Sequence, residues 1–364
     1  MCICLIGSGL TNLILAKILA KKKINVDLYY NKIFNEKNSS RTISISSDNV
    51  NFLEKYFKNI KKIGWPINLI KIYNETNSIE EILEFKQTNS IKFYVFKNNQ
   101  LFQLLSKNIL NDKKIKKKRN NLKYDFINTP DAQKYNLIIN SEKNNFIEKK
   151  YFYNKYEKNY NNRAYTTIIN HKKTNNNIAR QIFTRFGPIA FLPVSENKTS
   201  LVFSALETYK FKSNSNLMGF LKKYNQNYDQ LKFEKIESFN LSFLLQRKYV
   251  FNNILNFGDN IHKIHPLAGQ GFNMNLRNIK NLVKLIDDRI ELGLEIDKSI
   301  IHDFEKKNKH FNVIFANGVD FIHEFFKLSS VSKNDYTKKL FKILNKNKFF
   351  ISYATKFADK GLSL

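Results

Sequence analysis

Gly258-Asp259-Asn260-Ile261-His262-Lys263-Ile264-His265-Pro266-Leu267-Ala268-Gly269-Gln270-Gly271-Phe272-Asn273-Met274-Asn275 is the stretch that decides the fold. The run Asn253 to Phe257 before it reads as a strand that enters a tight turn at Gly258. Asp259 then stands at the strand tip, where a carboxylate accepts hydrogen bonds from a polyol. Beyond Pro266, the closely spaced Gly269 and Gly271 let backbone N–H groups approach a ligand. A long amphipathic helix starts at about Phe272 and points the positive end of its dipole at the same spot. Strand, glycine loop and helix together make a seat for an anionic or electron-rich cofactor.

A companion unit opens the chain. Ile3 to Ile6 form a short apolar strand, followed by Gly7-Ser8-Gly9-Leu10-Thr11-Asn12 and a helix with apolar positions Leu13, Ala16, Leu19 and Ala20. A second strand from Ile24 to Tyr30 completes the βαβ unit of a dinucleotide-binding fold, its glycines bringing a pyrophosphate to the helix N-terminus. A G-x-G alone also fits a plain strand–helix turn. Two positions depart from the pattern: Asn12 replaces a third glycine, at the expense of close helix–strand packing, and Tyr30, followed by Asn31, stands where an acidic residue would hold a ribose.

The 364 residues suffice for two domains and a substantial core. Lys plus Arg total 61 against 31 Asp plus Glu, a formal charge of +30, but the lysines are spread along the whole chain rather than gathered into a recognition stripe. No nucleic-acid partner is therefore expected. The densest cluster, Lys113 to Arg119, reads as a solvated hairpin or loop, or as a patch attracted to an anionic membrane surface. Cys2 and Cys4 share one face of the first strand and suggest neither a disulfide framework nor a zinc site. His262 and His265 have H-x-x-H spacing without a third ligand nearby, so no metal is expected. No apolar run reaches the ~18 residues of a spanning helix, and the chain enters a folded motif at once, without a basic leader. A cytoplasmic protein is expected, with peripheral attachment to the inner membrane left open. Hydrolase and nucleotidase signatures are absent from the sequence.

The segment GDNIHKIHPLAGQGFNMNLRN resembles the second flavin-binding motif of the single-component aromatic hydroxylases. Within them it is most similar to the ubiquinone-biosynthesis hydroxylases, whose pattern runs GD, two small residues, H, then P-L-A-G-Q-G-x-N. Arg41 to Ser46 resembles their R-x-x-x-L-S stretch, and Tyr94 to Leu105 resembles the helix entry that carries a polar side chain, here Gln103, toward the cofactor. Arg180 to Val194 resembles their Q-x-F-x-x-x-G-P-x-A-x-L-P stretch. Their D-G pair after the strand Leu137 to Ile139 is missing: Glu142 stands where the aspartate belongs, and Lys143 replaces a glycine that turns close to the cofactor phosphates.

The resemblance implies an α/β fold: a Rossmann-like FAD-binding domain of the para-hydroxybenzoate hydroxylase type (1–65, 92–152 and 248–290), an antiparallel-sheet substrate domain (66–91 and 153–247) and a C-terminal helical segment (291–364). It implies FAD held by Gly7, Gly9, Leu10, Thr11, Arg41, Gln103, Gly258, Asp259, Pro266, Gly269, Gln270, Gly271, Phe272 and Asn273. Phe183, Phe186, Phe191 and Pro193 would line the substrate pocket, though each is equally at home in a sheet core. The implied reaction is hydroxylation of the ring of a polyprenyl phenol or other quinone precursor by O2 through a flavin C4a-hydroperoxide. The flavin carries the chemistry, so no catalytic side chain is named. NAD(P)H or another electron donor reduces it, the changed D-G pair weakening the case for ordinary NAD(P)H handling. Two alternatives stay open: a related flavoprotein acting on another aromatic or polyprenyl substrate, and a noncatalytic subunit that keeps the fold within a biosynthetic complex. The stripe Phe304, Phe311, Phe315, Val319, Ile322, Phe326 predicts a C-terminal helix packed on the flavin domain or set against a bilayer or partner.

Overall fold

A computed structural model describes residues 1–30, 40–75, 78–86, 91–119, 126, 129–206, 214–225, 227–266 and 269–331; Asn31, the side chain of Phe326 and the chain from 332 onward lie outside them. The strand Cys2–Ile6 has no polar alternate positions, as a strand covered on both faces requires. It pairs in parallel with Asn25–Tyr30 on one side and Leu137–Asn140 on the other. Ile254–Asn256 and Val250–Phe251 extend this six-stranded sheet at one edge and Ile115–Arg119 at the other. The helix Leu10–Lys21 connects the first two strands. Its Leu13, Ile14 and Leu15 share a core with Leu105, Leu276, Ile279 and Phe304 from three later helices.

Asn12 corrects one expectation. Its side chain is fully buried, and its amide donates to the carbonyls of Ile6 (2.9 Å) and Gly7 (2.8 Å). The residue that departs from the glycine pattern thus braces the turn from inside instead of loosening it. Asn12→Ala is expected to lose about 1–3 kcal/mol of stability, because two buried carbonyls lose a donor; an unchanged urea midpoint would show that the brace carries no weight.

The run Lys113 to Arg119 is also corrected: Ile115–Arg119 is a parallel edge strand on Asn25–Tyr30. Its backbone completes the ladder while the lysines blunt the exposed edge, and Lys118 reaches back 2.7 Å to the buried Asp27.

Among the described residues the second sheet has nine strands, and Glu237–Gln246, Lys155–Asn170, Lys198–Leu206, Gly187–Ser195 and Ile178–Thr184 form its antiparallel centre. Leu69–Glu75 joins in parallel with Ile178–Thr184, the one parallel pairing in this sheet among the described residues. The hairpin between Thr184 and Gly187 turns at Arg185–Phe186, just before the Gly187-Pro188 pair. Gly187 closes it with φ +125°, and a Cβ there would lie 1.8 Å from the Ser204 carbonyl oxygen, so only glycine fits. One face of the sheet packs against the helix Asn214–Lys223. The other packs against Lys298–Val331, which buries Phe315 and Val319 there and Phe304 in the main core but leaves Ile322 exposed. A small sheet of Thr42–Ser46, Phe93–Lys97 and Gly64–Ile67 completes the architecture.

Candidate active site

Two helix N-termini face one cleft. Leu10–Lys21 starts at Gly9 and Gln270–Glu291 starts at Gly269; neither first turn carries an acidic residue or a capping side chain. Both therefore present the positive end of the dipole to the space in front of them. A cleft of about 550 Å³ runs between them, lined by Gly9, Leu10, Thr11, Asp259, Pro266, Gly269, Gly271 and Phe272. Eight of the expected cofactor residues, far apart in the chain, thus meet on one surface.

Gly269 has φ +65°, and a Cβ there would lie 2.9 Å from that of Ser44, so the glycine serves the turn and the close approach of helix to strand. Asn273 clamps the same contact. Its amide donates to the carbonyls of Ser44 (3.0 Å) and Gly269 (3.3 Å), while its oxygen accepts from the Ser46 N–H (3.0 Å) and the Asn49 side chain (2.9 Å). Asn273 accordingly orients the loop. Gly7 (φ +102°) and Gly258 (φ +67°) lie behind the cleft as turn residues, the latter against Thr11.

Gly9 and Gly271 are different. A Cβ at Gly9 meets nothing within 4 Å, and one at Gly271 only Ile264 at 3.8 Å; neither has a positive φ. Nothing inside the protein requires glycine at these two positions, and both border the cleft. The cleft wall also holds buried polar atoms without a hydrogen-bond partner: His262 Nδ1, Asn275 Oδ1 and Ser44 Oγ. Backbone donors, a close glycine approach and unmatched polar groups fit the dinucleotide that the sequence implies.

Burial pushes His262 down to about 4 against the upward pull of the Asp259 carboxylate, and Asn278 Nδ2 lies 2.9 Å from its Nε2. His265 turns to other surroundings, stacking on His323 at 4.0 Å and meeting Tyr160 edge-on at 5.3 Å, and burial holds it well below its ordinary range. The two histidines have different partners, and among the described residues no group of three metal-ligating side chains occurs. Since the unfolded chain takes up the His262 proton near 6.5 and the folded chain only near 4, the stability this residue contributes is full above about 6.5 and is lost as the pH falls through about 4. Melting temperatures measured from neutral pH downward should fall across that window, less steeply in His262→Gln.

Asp259 stands exposed at the cleft rim. Desolvation works upward on it, but the Lys143 ammonium at 3.2 Å and the Asn275 amide at 2.8 Å hold it below the ordinary carboxylate range.

Beyond Thr42, Ile43, Ser44, Asn98, Phe239, Pro266 and Gly269, which border both spaces, the cleft opens into a chamber of about 330 Å³ under the nine-stranded sheet. Cross-strand pairing sets one wall: Gln181, Ala190, Val202 and Thr166 form one row, with Ala179 and Ile70 in the next row on that face, and all border the chamber. Arg41 and Gln270 also line it, the Arg41 guanidinium lying 4.6 Å from the centre of the Phe239 ring.

The expected substrate residues are corrected here. Phe191 and Pro193 fall one position out of step with Ala190 and Leu192 and point to the opposite face, since strand side chains alternate. Phe191 packs with Tyr228, and Phe186, in the hairpin turn, packs on Phe220 at 5.2 Å. Phe183 is buried beneath the C-terminal helix with Phe315. Gln103 is corrected as well: it is exposed on the helix Asn98–Leu110 and borders neither space, whereas Asn98 at that helix's start borders both. The sequence reading missed Asn98, Ser44, Phe239, Gln181 and Ala190. The strand alternation around Arg180 to Val194 was a usable signal for the last two.

No family profile matches the chain. In sequence it is similar to the mitochondrial ubiquinone biosynthesis monooxygenase COQ6 of Drosophila melanogaster, 27% identical over 190 residues, 42% of this chain and 40% of that protein. It is also similar to the corresponding protein of Caenorhabditis elegans (24% over 213 residues, 46% of this chain and 47% of that protein). The ubiquinone hydroxylase UbiL of Rhodospirillum rubrum is 25% identical over 151 residues, 37% of this chain and 33% of that protein. The matched stretches thus span less than half the length of these relatives. Among solved structures, the p-nitrophenol 4-monooxygenase PnpA of Pseudomonas putida superposes with a TM-score of 0.73 at 10% identity, over 98% of this chain and 97% of that one. PqsL of Pseudomonas aeruginosa, a probable FAD-dependent monooxygenase, gives a TM-score of 0.70 at 12% identity, over 90% and 98%. The fold is that of the aromatic monooxygenases of the para-hydroxybenzoate hydroxylase type, as expected.

Proposed function

We propose that this chain, a relative of the ubiquinone-biosynthesis hydroxylases, binds FAD in the cleft between its two helix N-termini and hydroxylates the aromatic ring of a polyprenyl phenol in ubiquinone biosynthesis. The observation that carries this reading is the continuity of the two spaces: the cleft with dinucleotide-binding features opens directly into a mostly apolar chamber roofed by the sheet. The cofactor division of the chain would be 1–65, 92–152 and 248–290, and the sheet division 66–91 and 153–247.

Bound FAD would supply oxygen activation and the transfer of one oxygen atom. The chain supplies the rest. N–H groups at Gly9 to Thr11 and at Gly271 and Phe272 would meet negative charge on the cofactor, while Asp259 would accept hydrogen bonds from a polyol. Ile70, Ala179, Ala190, Leu192 and Val202 keep water from the ring, and Gln181, Thr166 and Gln270 offer it polar contacts. Any peripheral attachment to a bilayer would fall to the outer face of Lys298–Val331, where Ile314 (54%) and Phe321 (70%) are exposed. No helix among the described residues is long and apolar enough to cross a membrane.

Complementation of strains lacking each ring hydroxylase, with accumulated quinone intermediates identified by mass, tests the reading. Restored quinone synthesis in one of them is expected; failure in all, in a host shown to hold folded protein, would overturn it. A noncatalytic scaffold would complement none and would purify without colour, and the bracing role of Asn12 already removes one reason for that alternative.

A further inference from the structure

Lys143 stands where the resembling family has a glycine, and the structure gives it a definite place. Ser141 N–H donates to the Ile6 carbonyl at 3.0 Å, and a Cβ on Gly7 would lie 3.1 Å from that of Glu142, so the segment Ser141 to Lys143 is laid directly over the glycine turn. From there the Lys143 ammonium reaches Asp259 across the cleft at 3.2 Å, both side chains about half exposed. Lys143 borders the same cleft as Gly9, Leu10 and Thr11, the N-terminus of the first helix. The other lysine on this cleft, Lys263, is engaged with Ser242 Oγ at 2.7 Å. Buried His262 Nδ1 and Asn275 Oδ1, both unpartnered on the same wall, mark the space independently as one that receives a polar ligand.

We propose that Lys143 is the cation that holds the cofactor's diphosphate against the N-terminus of Leu10–Lys21, making the departure from glycine a source of affinity for phosphorylated flavins. The proposal rests on the FAD reading and adds a residue role to it. A glycine offers the diphosphate one backbone N–H; a lysine whose stem starts over the same turn adds a mobile positive charge. Asp259 keeps that charge within the cleft and remains within reach of the polyol.

The test is equilibrium binding of FAD, FMN and riboflavin to the full chain, read by flavin fluorescence at low and high salt, for the wild type, Lys143→Gln and Lys143→Arg. Lys143→Gln is expected to weaken FAD about five- to thirtyfold, as a half-exposed charge-assisted contact would, with a shallower salt dependence and an unchanged riboflavin affinity. Lys143→Arg should restore most of the loss. Equal weakening of FAD and riboflavin, or no weakening of FAD, overturns the proposal while leaving the FAD reading intact. In an Asp259→Asn background the Lys143→Gln loss should persist; its disappearance would mean that the lysine only neutralises the carboxylate, which also overturns the proposal. A folded wild type that binds no flavin removes the FAD reading and the proposal together, and is thereby distinguished from the other outcomes.

Discussion

Gly9→Val should leave the melting temperature of the protein close to that of the wild type and reduce flavin affinity at least a hundredfold. The first half follows from geometry. Gly9 has an ordinary extended conformation, φ −70° and ψ 167°, which any residue adopts, and a Cβ there meets no atom within 4 Å. The second half follows from what the added atoms would displace. Gly9 caps the helix Leu10–Lys21 and borders the cleft, so two methyl groups project into the volume where a diphosphate would contact the helix N–H groups. A hundredfold loss corresponds to about 2.7 kcal/mol, the scale of one or two charge-assisted hydrogen bonds broken by steric exclusion. Gly269→Val would not separate the two effects, because φ +65° and the contact with Ser44 strain the protein itself. Fluorescence titration together with thermal melting decides the matter: a Gly9→Val protein that melts normally and binds flavin normally would show that the dinucleotide does not lie on this helix.

Ala190→Phe is expected to abolish ring hydroxylation while the protein keeps its flavin. Ala190 sits in the row Gln181, Ala190, Val202, Thr166 on the sheet face that roofs the chamber. A phenyl group added there occupies a substantial part of a space of about 330 Å³. The chamber and the cofactor cleft share walls, but Ala190 borders only the chamber. Substrate exclusion should lower kcat/KM by about two to three orders of magnitude, equivalent to roughly 3–4 kcal/mol, with flavin content and spectrum unchanged. The control is Phe191→Leu, one residue further on the opposite face, which should cost about 1 kcal/mol of stability and leave kcat/KM nearly unchanged. Equal loss of activity in both variants, or none in Ala190→Phe, would show that the substrate lies elsewhere.

The Ala190 and Phe191 pair also shows where sequence reading reached its limit. Gly187, Pro188 and Pro193 marked the segment as part of an antiparallel sheet, and the observed strand Gly187–Ser195 agrees. Which of two alternating sets faced the chamber was not decided by hydrophobicity, because both faces of this sheet are covered: one by Asn214–Lys223, the other by the chamber and Lys298–Val331. In this strand Phe191 went to the face packed by Asn214–Lys223 while Ala190 and Leu192 lined the chamber, since a ligand space needs room as much as it needs apolar walls. Gln103 failed for a similar reason. A position in the second turn of a helix can point to either side, and only the packing of Leu101, Phe102 and Leu105 into the core turns Gln103 to solvent.

Glycine chemistry is what the sequence by itself determined: two loops, far apart in order, each placed where a strand delivers a chain to a helix N-terminus, and hence the fold and the cofactor class they imply. That much is local, because turn geometry and helix dipoles depend on neighbouring residues. Tertiary structure alone decided the roles within the site. Asn12 became a brace because Ile6 and Gly7 present their carbonyls to it, and Asn273 a clamp because the strand Thr42–Ser46 lies against it. Lys143 became a cleft residue because the parallel pairing of Leu137–Asn140 with Cys2–Ile6 carries its loop over Gly7. Such roles depend on which distant backbone groups come within hydrogen-bonding distance, and that information resides in the packing of the whole chain.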